Sequence, residues 1–307
     1  MTRFQRWLGV SLSVALMLPV FSQSARAQET FARGKNVQPS YEGWMMNDDG
    51  SYDLVFGYFN RNEEEEPNIQ VGPDNFFSPG PEDRGQPTHF YPGRQMFLFT
   101  TRVPADFGKQ ELVWTVTHNG RTDTAIGWLG SFYEITKPVR WAQRNAAQHE
   151  PNPSEVRALP PSIELDGPTT VTVATSAPLD LEVLVKDDGL PGPPERPGLA
   201  GIDRSRAAVV VPLVRRKPFH LQDMVSVSSA TETGLAVSWL HYRGPGRVEF
   251  KPRTLPLDKN GGRARTTAHF SEPGTYVLRA VADDRIFTTP VDITVTVTGS
   301  GQTTPSE

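Results

Sequence analysis

Cysteine is absent from the 307-residue sequence. That excludes disulfides, thiol nucleophiles, thiolate metal ligands and a lipid attached to cysteine. A protein exported without disulfides must be held by its hydrophobic cores, which suits domains of about 100 residues or more. Long apolar runs are missing beyond the first 21 residues, so no later stretch reaches the roughly 20 residues a membrane helix needs. Basic excess is missing too. The formal charge is −4, which argues against nucleic acid and anionic membrane surfaces as partners. No G-x-S-x-G, phosphate-binding loop or H-E-x-x-H appears. The six histidines, His89, His118, His149, His220, His241 and His269, share no metal spacing and read as surface or turn residues.

The N-terminus carries Arg3 and Arg6, an apolar run from Trp7 to Phe21, and Ala25-Arg26-Ala27. This is the pattern of a secretory signal peptide cleaved after Ala27, and it implies a secreted or periplasmic bacterial protein. Removing residues 1–27 takes away Arg3, Arg6 and Arg26 and no acid, so −4 becomes −7. Proline (28) and glycine (26) are frequent and dispersed, which favours short strands and many turns over long helices.

Period-2 patterns recur along the mature chain. The expected architecture is all-β, with two tandem β-sandwich domains. A flexible lead-in covers residues 28–40 and a first sandwich 41–136. A proline-rich linker covers 137–161, with a short helix over Trp141–Gln148. A second sandwich covers 162–298, with an insertion at about 187–234, and a disordered tail covers 299–307. Within the first half, Asn119-Gly120 is the strongest hairpin signal. Phe132–Ile135 reads as its last strand. Trp128, Phe132 and Tyr133 alternate like core residues, although exposed they could stack on sugars. Residues 61–93 break the pattern, apart from a short strand expected at Asn68–Val71. So long an irregular segment tends to be functional. Its aromatics Phe76, Phe77, Phe90 and Tyr91 suggest a loop pinned to the sandwich. In the insertion, Ala207–Val214 reads as an extra edge strand.

In the second half, Leu235-x-Val237-x-Trp239 marks a core strand, and Ser271–Asp284 a turn followed by a half-buried strand. The run Glu272-x-Gly274-x-Tyr276-x-Leu278 has the form of a tyrosine corner. On Val237–Trp239, Phe270–Tyr276, Ala280–Asp284 and Ile293–Val297, the second half resembles the PKD and wider immunoglobulin-like families. The resemblance implies a β-sandwich with Trp239 and Tyr276 as structural residues. After Trp239 the chain reads Leu-His-Tyr-Arg-Gly-Pro-Gly, where PKD domains carry an acidic, glycine-rich turn, so the resemblance is to PKD-like domains. The first half resembles segments of secreted bacterial proteins at FGYFNRN, VGPDNFFSPGPEDRGQPTHF and VPADFGKQELVWTVTHNG, which implies no activity.

Two sets of polar residues could bind something. Asn60, Arg61, Asn75, Asp83, Arg84 and Gln86 offer amide, guanidinium and carboxylate groups on or beside the long loop. They could hold a sugar or peptide, or satisfy the loop's own backbone. Asp187, Asp188, Asp283 and Asp284 close two strands and could bring oxygen ligands to a Ca²⁺ ion, or serve as ordinary turn residues. No other cofactor is called for. The acids Glu63–Glu66 read as a solvated loop. The expectation is a non-catalytic binding or spacer module whose partner is a protein or glycan of the cell envelope, with no membrane span in the mature chain. The rivals are a carbohydrate-binding accessory module and a hydrolase with its site in the long loop.

Overall fold

The computed structural model describes residues 31–136, 153–192 and 234–299. The signal peptide, the Trp141–Gln148 helix, the Ala207–Val214 strand, His149, His220 and residues 300–307 lie outside them. Among the described residues no helix is long and apolar enough to cross a membrane.

Among the described residues fifteen strands sort into four sheets that pair as two sandwiches. In the first, strands β1 (Val37–Met46), β2 (Tyr52–Asn60) and β4 (Gly93–Val103) face β3 (Asn75–Ser78), β5 (Leu112–His118) and β6 (Arg121–Gly127). The pleat explains the core. Leu54, Phe56 and Tyr58 of β2 point inward with Leu112, Trp114 and Val116 of β5, at the i, i+2, i+4 spacing of one sheet face. Phe56, Phe77, Phe99 and Trp114 form an aromatic cluster, with Phe77 and Trp114 stacked at 5.9 Å. Asn119 and Gly120 close the β5–β6 hairpin with φ of 51° and 71°, the positive pair of a type I′ turn.

The second sandwich packs a five-stranded sheet on a four-stranded one. The first runs β12 (Thr254–Pro256), β10 (Ala236–Arg243), β14 (Gly274–Asp283), β15 (Thr288–Thr298) and β8 (Thr170–Ala174). The second runs β11 (Val248–Lys251), β13 (Gly261–Phe270), β9 (Leu179–Lys186) and β7 (Ser162–Leu165). Among the described strands only β8 pairs in parallel, against β15. Val237, Trp239, Tyr276, Leu278, Ala280 and Ala282 are fully buried in this core. The Tyr276 hydroxyl donates to the Glu272 carbonyl at 2.8 Å, which makes the tyrosine corner. The corner also needs Gly244 (φ 134°), because a Cβ there would strike the Tyr276 ring. One short helix, α1 (Pro153–Arg157), precedes β7.

Four local expectations are corrected. Strand β1 begins at Val37, inside the expected lead-in, because its first residues pair with the end of β2 (Val37 opposite Asn60). Asn68–Val71 forms no strand and makes only an isolated bridge from Asn68 to His89, whereas Asn75–Ser78 is β3, paired with β5. Ser131–Tyr133 is a 3-10 turn, not the last strand, and Phe132 is 99% exposed. His89 and His241 are buried.

Candidate functional site

The long loop between β2 and β4 fastens the two sandwiches together. Strand β10 is buried along almost its whole length, because one face serves its own core and the other meets the first sandwich. Tyr242 belongs to the first sandwich's core, and its hydroxyl donates to the Gly85 carbonyl at 2.5 Å. The Thr88 amide donates to the Tyr242 carbonyl at 3.0 Å. Arg243 donates to both Asp83 carboxylate oxygens at 3.0 and 2.7 Å, and through Nε to the Gln86 carbonyl at 2.7 Å. The His241 amide donates to the Tyr91 hydroxyl at 2.9 Å. On β14, Arg279 stacks over the Tyr242 ring at 3.6 Å, pairs with both oxygens of Asp292, and donates to the Leu98 carbonyl at 2.9 Å.

The sequence-derived loop residues fall into this framework, and each makes at least one hydrogen bond inside the chain, although Arg84 Nε finds no partner among the described residues. Asn60 is buried and donates to the Glu65 and Phe90 carbonyls at 2.7 and 3.0 Å. Asn75 is fully buried: it donates to the Ile69 and Pro87 carbonyls and accepts from the Trp114 indole at 2.9 Å. Gln86 accepts from the Arg84 amide and donates to the Glu82 carbonyl, both at 2.8 Å. Asp83 holds Arg243, and Arg84 donates to the Pro79 carbonyl at 3.1 Å. Arg61 is exposed and donates to Gln38 at 2.7 Å. These are the partners that a buried irregular backbone requires.

At the centre of the joint lies a pair the histidine reading missed. The rings of His89 and His241 stack at 4.4 Å and 22°. Asn68 donates its amide to the Gly246 carbonyl, so its Oδ1 faces His89 Nδ1 at 2.8 Å and assigns that nitrogen a proton. His89 Nε2 lies 3.4 Å from Glu66, and this bond holds the Glu66 carboxyl below its usual range. The Tyr91 and Tyr276 rings and the Arg253 guanidinium, which sits 4.1 Å over Tyr91, complete the surroundings. Among the described residues neither ring nitrogen of His241 finds a well-formed hydrogen bond. Burial, then the charge of His89, pushes His241 down to about 3, and the nearby Gly244 and Arg243 backbone offsets this only in part. The sequence signal for the joint was β10 itself, Ala236–Arg243, which carries apolar residues on both faces, Ala236, Leu240 and Tyr242 on one and Val237 and Trp239 on the other, as suits a doubly covered strand.

A cavity of about 330 Å³ lies between β4 and the sheet of β10, β14 and β15, lined by Met96, Leu98, Leu240, Val281 and Pro290. Phe97, at the bulge of β4, takes a left-handed φ of 50°, a costly conformation for a bulky residue.

The four aspartates lie at the ends of β9 and β14. Asp187 Oδ2 accepts from the Gly189 amide at 2.8 Å, and Asp188 accepts from the Leu190 and Leu159 amides. Asp283 accepts from the Arg285 amide, and Asp284 from those of Ile286 and Phe287. Burial, then the charge of Asp188, pushes Asp187 up to about 6. Burial, then the charges of Asp283 and Asp187, pushes Asp284 up to about 7.

An exposed aromatic group follows β6 in the first sandwich. Trp128 and Tyr133 are 44% and 43% exposed beside the fully exposed Phe132, which corrects their reading as core residues. Their backbone is held from below: the Tyr41 hydroxyl donates to the Trp128 carbonyl at 2.6 Å and the Trp44 indole to the Gly130 carbonyl at 2.8 Å.

No protein-family model matches the chain, and no curated protein matches it. Among solved structures it is similar to the S-layer protein rSbsC(31-844), at 10% identity over 87% of this chain and 28% of that one, with a TM-score of 0.26. It is similar to the fibronectin(III)-like modules of Clostridium thermocellum CbhA, at 10% identity over 88% and 99% of the two chains, TM-score 0.24. It is also similar to the D0-D1 domain of intimin, at 11% identity over 84% and 97%, TM-score 0.23. With Trp239 in its core, Tyr276 at its corner and two facing, mainly antiparallel sheets, the second half of this chain is an immunoglobulin-like β-sandwich.

Proposed function

We propose that this chain is a non-catalytic binding module of the bacterial cell envelope, secreted or periplasmic, whose two sandwiches are locked so that a partner protein meets a surface of fixed geometry. The joint on β10 carries the reading. The loop groups Asn60, Asn75 and Asp83, which a hydrolase would need for substrate, are spent on the chain itself. The envelope location rests on the basic, apolar and Ala-x-Ala segments of residues 1–27.

A second reading, glycan binding, is favoured by the aromatic group of Trp128, Phe132 and Tyr133, since exposed rings on a pinned backbone suit stacking on sugar rings. One experiment tests both. The mature chain, residues 28–307, is immobilised and titrated with separated envelope protein and envelope polysaccharide. The main reading expects saturable binding of a protein component and none of polysaccharide. The second expects polysaccharide binding that Trp128→Ala abolishes. Absence of saturable binding in both fractions sinks both.

A further inference from the structure

We propose that the two acidic turns at one end of the second sandwich hold a hard divalent cation, Ca²⁺ in kind, between the carboxylates of Asp187 and Asp284. The turns come from different sheets, since Asp187 follows β9 and Asp284 follows β14. They are brought together by Arg285, whose Nη1 donates to the Gly192 carbonyl at 2.9 Å, and by Leu190, which packs on Ala158, Ile286 and Phe287.

Each carboxylate spends one oxygen on its own turn. Asp187 Oδ2 accepts from Gly189, and Asp284 Oδ1 accepts from Ile286 and Phe287 at 2.7 and 2.6 Å. The other oxygen of each, Asp187 Oδ1 and Asp284 Oδ2, is buried with no hydrogen-bond partner among the described residues. Asp284 as a residue is fully buried. Turn-making explains the first oxygens and leaves the second ones unexplained. A buried carboxylate oxygen without a partner costs a large part of its desolvation energy. Among the described residues no guanidinium or ammonium group hydrogen-bonds either one. Asp188 and Asp283 add negative charge while orienting the turns.

The donor chemistry selects the ion. Only oxygen is offered, which disfavours soft and borderline metals. No third carboxylate or histidine converges on the pair among the described residues. Backbone carbonyls and water must therefore complete the shell, which Ca²⁺ accepts at irregular geometry and Mg²⁺ resists. Two carboxylates place the affinity in the weak range of extracellular calcium modules, with a Kd of about 10⁻⁴ to 10⁻³ M.

The test uses the mature chain, stripped with a chelator and melted at pH 7.5 with and without 5 mM CaCl₂ at matched ionic strength. With a Kd of about 0.5 mM, calcium raises the folding equilibrium about elevenfold and the midpoint by on the order of 3 °C. The same concentration of Mg²⁺ does less, and the rise disappears in Asp187→Asn and in Asp284→Asn. Should Asp284→Asn not fold, the part-exposed Asp187→Asn carries the test alone. No calcium-dependent rise in the wild-type chain overturns the proposal, and so does a rise that survives in Asp187→Asn.

Discussion

Acid should loosen the joint through His241. Its folded-state pKa is pushed from 6.5 down to about 3, so the unfolded chain takes up the proton first. The stability tied to the neutral ring is complete above about pH 6.5, is lost as pH falls below it, and is exhausted near pH 3. At about 1.4 kcal/mol per pH unit, lowering pH from 7 to 5 removes about 2 kcal/mol. Asp187 and Asp284 act in the opposite sense. Their raised pKa values, about 6 and about 7, mean that folding gains stability as pH falls through those values toward the ordinary carboxylate range. The wild-type profile is therefore flattened by opposed contributions, and the informative quantity is a difference between proteins. We would follow urea unfolding by tryptophan fluorescence in chelator at pH 7, 6 and 5, for the wild-type chain and for His241→Phe. The stability difference should shift by about 2 kcal/mol between pH 7 and 5, with the variant the less sensitive to acid. A constant offset from the change in packing does not matter. Parallel profiles would refute the assignment of a buried neutral His241.

Three further outcomes are expected. Tyr276→Phe removes the hydrogen bond to the Glu272 carbonyl and should cost about 1 kcal/mol by urea titration; an unchanged midpoint removes the corner as a source of stability. Tyr242→Ala empties a side chain shared with the first core and should cost about 3–5 kcal/mol, and calorimetry should show the two sandwiches melting separately; one unaltered transition contradicts the joint. Phe132→Ala touches a fully exposed ring and should leave the melting midpoint within about 1 °C, where a large drop would mean that the ring is packed.

What could be read without coordinates followed sequence distance. Asn119-Gly120 announces its hairpin because its geometry depends on its own two residues. The Ser271–Asp284 stretch announces its corner for the same reason, since Tyr276 reaches back only to Glu272. The long loop was opaque because its order depends on partners elsewhere in the chain. Asp83 is a surface-type residue until Arg243 arrives, and Asn75 is a generic turn amide until Trp114 donates to it. The histidines failed for a related reason. His89 and His241 obey no ligand spacing, because they are joined by stacking between elements and by no local motif. Trp128, Phe132 and Tyr133 misled in the other direction: aromatics spaced like a strand were placed by a 3-10 turn on the outside.

The grip on β10 also sets an order of events. Gly85, Asp83 and Tyr91 find their partners 157, 160 and 150 residues downstream. When the chain emerges N-terminus first, β1 to β6 can collapse early, but the loop that crosses them has unmet donors and acceptors until Arg243 is available. The first sandwich is thus a late finisher despite being the first made. A fragment cut between the halves would expose the unsatisfied loop and the place of Tyr242 in its core, so the proline-rich junction is a boundary in the chain and not a boundary for folding.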